Sequence, residues 1–138
     1  MNKNILLISV CPTVLKLVLK NAAKDQYSRF EGSYLLSQSK VNGRQYWTQD
    51  GKNNAIWYAK DNTWSIGDES KIDTLEALLY NTDSKAPCPQ IGKWSFYDFD
   101  INAWNTHNSN DIIFSTSGNL LYLKIILNHF CSLCNLDQ

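Results

Sequence analysis

Between residues 34 and 104 the apolar side chains follow a period of two, and backbone-turning residues cut the pattern at short intervals. Asn42-Gly43 is the strongest of these signals, because a two-residue hairpin turn needs positive φ at both positions and these residues tolerate it. Asp50-Gly51 and Asp61-Asn62 mark two more tight reversals. Strands are therefore expected over about 34–41, 44–49, 54–60 and 63–67. Short strands joined by tight turns can pair only with antiparallel neighbours. A weaker strand or helical turn around Leu75, Ala77, Leu78 and Tyr80 follows. The stretch 81–90, with Pro87 and Pro89, reads as a loop. Strands at about 92–98, 101–105 and 111–116 complete seven or eight in all. The chain is expected to be all-β, a small antiparallel meander that curls or partly closes into a barrel to limit its exposed edges.

The five tryptophans all lie between positions 47 and 104. A tryptophan combines a large apolar area with an N–H that wants an acceptor when buried, so the group marks a core. An aromatic content of 12% and a hydrophobic content of 43% suit a folded domain rather than a disordered chain. The alternation also sets Trp57 opposite to Ile56 and Tyr58, so one of those two faces must be outward or under a loop. If it is outward, Trp57 or Tyr46, with Arg44, Asn54 and Asp61 nearby, forms a stacking platform for a sugar or a peptide. The other reading makes all five tryptophans structural. Gly67, closing the Trp64-Ser65-Ile66-Gly67 phrase, is expected at a positive-φ turn.

Both ends differ from this middle. Residues 1–26 hold four lysines and one aspartate, with an apolar run from Ile5 to Val10. They read as a signal-like segment, with Ala22-Ala23 as a place for cleavage. Equally, Val14, Leu15, Val18, Leu19 and Ala22 fit an amphipathic helix over 13–24. The β domain is then expected over 27–118, followed by an apolar tail over 119–138. That tail is read either as a covering helix or as an aberrant end. Neither end has the roughly 20 uninterrupted apolar residues that a spanning helix needs. Cys131 and Cys134 have C-x-x-C spacing, but only His129 is near as a further ligand, so ordinary thiols are favoured over redox or zinc chemistry.

The chain as a whole is neutral, whereas residues 27–118 carry eight basic against eleven acidic groups. A negative domain without a basic cluster is a poor partner for nucleic acid. Catalytic signals are sparse: His107 and His129 have no nucleophile at a strained turn beside them, and the six glycines are scattered rather than gathered into a phosphate loop. No enzyme and no cofactor is expected. Asp98, Asp100 and Asn102 have the spacing that opens a calcium loop, but Ala103 and Ser109 occupy its glycine and glutamate places. A solvated strand face and turn explain the three residues better.

In order along the chain stand Tyr34, Asn42-Gly43-Arg44, Tyr46-Trp47, Ala55-Ile56-Trp57-Tyr58, Trp64-Ser65-Ile66-Gly67, Cys88-Pro89, Trp94-Ser95-Phe96-Tyr97 and Trp104. The order resembles a tryptophan-rich β module that recurs in extracellular and multidomain proteins of invertebrates and protists, over residues 30–117. The resemblance implies a non-enzymatic module, often secreted and often one copy among several. The aromatic residues make it an interaction module, expected to bind a protein or a glycan through an aromatic surface. It also implies that Cys88 pairs with a cysteine at the end of the last strand. Ser115, Thr116 and Ser117 hold that place here, so Cys88 is left without that partner. The alternative to an interaction module is a purely structural domain or a truncated product with no ligand of its own.

Overall fold

The structure is a computed structural model, and it describes residues 11–83 and 85–117. The apolar tail, the Cys131/Cys134 pair, His129 and the first ten residues lie outside the described residues. The chain is all-β: nine antiparallel strands of the described residues form a single sheet. They are β1 (Val14–Leu19), β2 (Gly32–Val41), β3 (Arg44–Gln49), β4 (Asn54–Tyr58), β5 (Trp64–Asp68), β6 (Leu79–Asn81), β7 (Trp94–Asp98), β8 (Ala103–Asn105) and β9 (Ile112–Ser117). One short helix, α1 (Asn21–Tyr27), joins β1 to the rest. No helix among the described residues is long and apolar enough to cross a membrane.

Strands β1 to β8 follow one another as a meander, and β9 returns to pair with β1, giving the order β8-β7-β6-β5-β4-β3-β2-β1-β9. That order alone forces the sheet to curl. Laid flat, nine strands would hold β8 and β9 about 38 Å apart, at roughly 4.8 Å per strand. Residues 106–111, which join them, reach at most about 25 Å. The two ends of the sheet are thus drawn toward each other, and α1 fills the seam between them. Lys20 N donates to Asp111 O (2.8 Å) and Asn21 Nδ2 to Asp111 Oδ1 (2.9 Å) on one side. Gln26 Nε2 donates to Asp98 Oδ1 (2.8 Å), and the Tyr27 hydroxyl donates to Tyr97 O, on the other. The rings of Trp94 on β7 and Phe114 on β9 lie 5.3 Å apart.

The core sits inside the curl. A single row of paired residues, Leu36, Trp47, Ile56, Ile66, Leu79, Phe96 and Asn105, crosses from β2 to β8. A one-residue slip on any strand would turn its apolar set outward, so burial fixes the register. The expected turns are present, with φ of 50° at Asn42, 76° at Gly43, 72° at Gly51 and 64° at Asn62. The loop expected over 81–90 is largely loop, with β6 ending at Asn81.

The helix expected over 13–24 divides into two elements. Leu15, Leu17 and Leu19 are all buried in the main core while Lys16 is exposed, and this alternation makes 14–19 a strand. The helix follows at Asn21–Tyr27 and buries Ala23 and Tyr27. The β unit therefore takes in residues of the expected N-terminal segment 1–26. Cleavage at Ala22-Ala23 would remove β1, which lies between β2 and β9.

Cys88 also differs from expectation. It forms a disulfide with Cys11, the Cα atoms lying 5.5 Å apart. Val14, three residues after Cys11, faces Ser117 at the end of β9. Antiparallel pairing sets the start of β1 beside the end of β9, so the partner comes from the segment leading into β1 instead of from 115–117.

Candidate binding surface

Four tryptophans are buried, and three of them satisfy their indole N–H on two adjoining segments. Trp47 donates to Pro12 O (2.8 Å), Trp64 to Ala86 O (2.9 Å) and Trp94 to Pro89 O (2.8 Å). The Cys11–Cys88 bond ties those two segments together, so the disulfide anchors the acceptors of the core indoles.

Trp57 lies on the opposite side of the sheet from Ile56 and Tyr58 and is fully buried, beneath Ile72 and Ala77 from the loop after β5. That loop is held down by Glu69 N donating to Asn53 O (2.8 Å) and Asn42 Nδ2 donating to Asp73 Oδ1 (2.9 Å). The Trp57 N–H has no hydrogen-bond acceptor among the described residues. Trp57 is therefore not a stacking platform.

The other residues expected to bind are spread over the molecule. Tyr46 is half-buried against Trp57. Asn54 is buried and donates to Gln49 Oε1 (2.7 Å) and Arg29 O (3.0 Å). Arg44 donates to Ala86 O (2.8 Å), with its guanidinium 3.8 Å from the centroid of the Tyr58 ring. Asp61 is exposed, and its carboxylate accepts from the Thr63 hydroxyl at 2.6 Å. The five residues do not converge on one site.

Two exposed aromatic side chains, Trp104 and Phe99, and two half-buried ones, Tyr80 and Tyr97, meet instead on the outer side of β6, β7 and β8. Trp104 on β8 pairs directly across from Tyr97 on β7 and remains 41% exposed. Its ring stands edge-to-face with Tyr97 (5.6 Å between centroids) and with Tyr80 on β6 (4.7 Å). Ser95, the residue between them on β7, pairs with Tyr80 and leaves room for the two rings to meet. Phe99, 54% exposed, extends the cluster with its centroid 5.0 Å from that of Tyr97. Beside Trp104 and Tyr80 runs a groove of about 280 Å³, bordered by Leu75, Ala77, Ser65, Thr63 and Asp61. Of the five expected residues, only Asp61 borders it. In the sequence the signal for this set is the i, i+2 spacing of Tyr97 and Phe99.

The calcium-like triad is taken up by internal bonds. Asp98 is buried, and its Oδ1 accepts from Gln26 Nε2 and from Asp100 N (3.0 Å) while Oδ2 accepts from Asn105 Nδ2 (3.3 Å). The hydrogen bond from Gln26, seconded by that from Asn105, holds the Asp98 carboxyl below the usual carboxylate range. Asp100 and Asn102 are exposed at the β7–β8 turn, where Asn102 adopts a φ of 49°. Among the described residues no group of three His, Cys, Asp or Glu side chains is arranged to hold a metal ion. Under Phe99, the Tyr27 hydroxyl is pushed up to about 12, chiefly by burial.

Comparison of the chain with protein-family models, with curated proteins and with solved structures gives no match.

Proposed function

We propose that the protein is a non-catalytic interaction module of an extracellular protein, which binds a protein or glycan ligand through the aromatic surface of Trp104, Tyr80, Tyr97 and Phe99. The observation that carries this reading is Trp104 itself. A large aromatic side chain is left 41% exposed, propped by two tyrosines, beside a groove with a carboxylate and a hydroxyl on its rim. Aromatic faces with a few polar neighbours suit sugar rings and peptide side chains alike. The Cys11–Cys88 disulfide favours an oxidising, extracytoplasmic setting. The order of the aromatic motifs, similar to that of tryptophan-rich β modules, points the same way.

The test is to screen the full chain against glycan and protein arrays and then to measure the Trp104→Ala variant. Removing a central aromatic anchor should weaken binding by at least about tenfold, with the melting temperature little changed. Unaltered affinity in the variant would remove the assignment, and specific turnover of an array substrate would remove the non-catalytic reading.

A second reading, a purely structural domain, draws on the four buried indoles. It predicts no ligand on either array and a lower melting temperature for Trp104→Ala, whose ring packs on Tyr80 and Tyr97.

A further inference from the structure

A second groove, about 360 Å³ in volume, opens between the β2–β3 hairpin and the loop that carries Cys88. Lys40 and Arg44 border it from the hairpin and Lys85 from the loop, with Gln45 beside them. Among the described residues no acidic side chain lines it. The ion pairs of the described residues are Lys24–Glu31, Lys60–Asp73 and Lys71–Glu76, so none of the groove's three cations is paired among those residues. Asp83, two residues before Lys85, turns its carboxylate to the Lys85 backbone N–H (3.0 Å), and Asp73 behind the hairpin turn already holds Asn42 and Lys60.

Three cations in one groove, without an ion-pair partner among the described residues, run against the charge of residues 27–118, where acidic groups outnumber basic ones. Like charges repel, so gathering them lowers stability unless an anion joins them. Arg44 is also held in place. One N–H is on Ala86 O, and the guanidinium plane rests on Tyr58. The remaining donors have no acceptor among the described residues, and a planar fork fixed in this way suits a carboxylate or sulfate.

We propose that this groove binds a sulfated or carboxylated saccharide. The groove's floor is Trp47 and Trp64, both at most 1% exposed, so it presents neither a stacking plate for a nucleic-acid base nor an open apolar socket for a peptide side chain. What it presents is positive charge and the Gln45 amide, which match acidic groups and hydroxyls on a sugar chain. None of its residues belongs to the Trp104 surface, so the two sites stand or fall separately.

Calorimetry on the full chain, with its disulfide intact, tests the proposal with four probes: a sulfated oligosaccharide, its desulfated counterpart without carboxylates, a polyglutamate peptide and a short single-stranded oligonucleotide. The sulfated probe should bind, more weakly as salt rises, and the desulfated probe should not. The double variant Lys40→Gln/Lys85→Gln, altered only at exposed positions, should keep its melting temperature and lose about tenfold or more in affinity. Trp104→Ala should leave this binding unchanged. The proposal is overturned by failure of the sulfated probe to bind at low salt, or by full affinity in the double variant. Binding of polyglutamate or the oligonucleotide more tightly than the sulfated probe would overturn the saccharide assignment.

Discussion

Gly67 shows how a single residue can be needed for a reason that its surroundings in the sequence do not display. It is not at a positive-φ turn; it lies within β5, where Ala55 faces it. A Cβ built there would come within 3.0 Å of the Trp57 ring. The missing side chain thus makes room for the indole on the outer side of the sheet. Gly67→Val should destabilise the domain by about 1–3 kcal/mol, the usual penalty of overpacking, read as a lower urea midpoint. An unchanged midpoint would mean that Trp57 is not packed against this strand. The Trp57 side of the sheet was predictable from alternation, but its cover was not. That cover comes from Ile72 and Ala77, in a loop with no period, and only the fold brings them over β4.

At the scale of elements, strong local chemistry was legible and cross-strand adjacency was not. The hairpins follow from Asn42-Gly43, Asp50-Gly51 and Asp61-Asn62, because positive φ is a property of the residue itself. The segment that became β1 satisfied two periods at once: Val14, Leu15, Val18 and Leu19 fit a helix, whereas Leu15, Leu17 and Leu19 fit a strand. Over six residues the two templates overlap, and the pairing with β2 and β9 decides. The Trp104 surface was hidden for a related reason. Tyr80 and Trp104 sit on strands of three residues each, and they meet only across β7.

Helix α1, too short to hold itself together alone, is fixed by its bonds to the strand ends. Its chief tie is Gln26 to Asp98, and this tie makes stability depend on pH. The folded Asp98 carboxyl is held below its ordinary value, so its contribution is complete above the ordinary carboxylate range. As pH falls the unfolded chain takes up the proton first, and the contribution is lost through the lower, folded value. Gln26→Leu should raise the Asp98 pKa, seen by NMR titration of its carboxyl carbon, and shift acid unfolding to higher pH. Tyr27 acts at the other limit. Its folded value of about 12 lies above the ordinary 10.0, so its contribution holds below pH 10 and disappears as pH rises through the folded value. Tyrosinate absorbance should therefore show one hydroxyl ionising only with alkaline unfolding.

For the whole molecule, the Cys11–Cys88 bond does more than join two distant points. It closes a loop with a sequence separation of 77, and in the chain-entropy account a loop of that length contributes about 4 kcal/mol. That is a large share of the 5–15 kcal/mol typical of a domain. The bond also holds the Pro12 and Ala86–Pro89 carbonyls at the open end of the curl, where they accept from Trp47, Trp64 and Trp94. Trp57 has no such link. The double variant Cys11→Ser/Cys88→Ser should therefore lower the unfolding free energy by about 4 kcal/mol and act unevenly on the indoles. Hydrogen exchange at the Nε1–H of Trp47, Trp64 and Trp94 should speed up well before that of Trp57, because local opening begins where the clip was removed. Uniform acceleration of all four would show that the disulfide stabilises only through the unfolded chain. An unchanged unfolding free energy would show that the chain-entropy account does not hold for this loop.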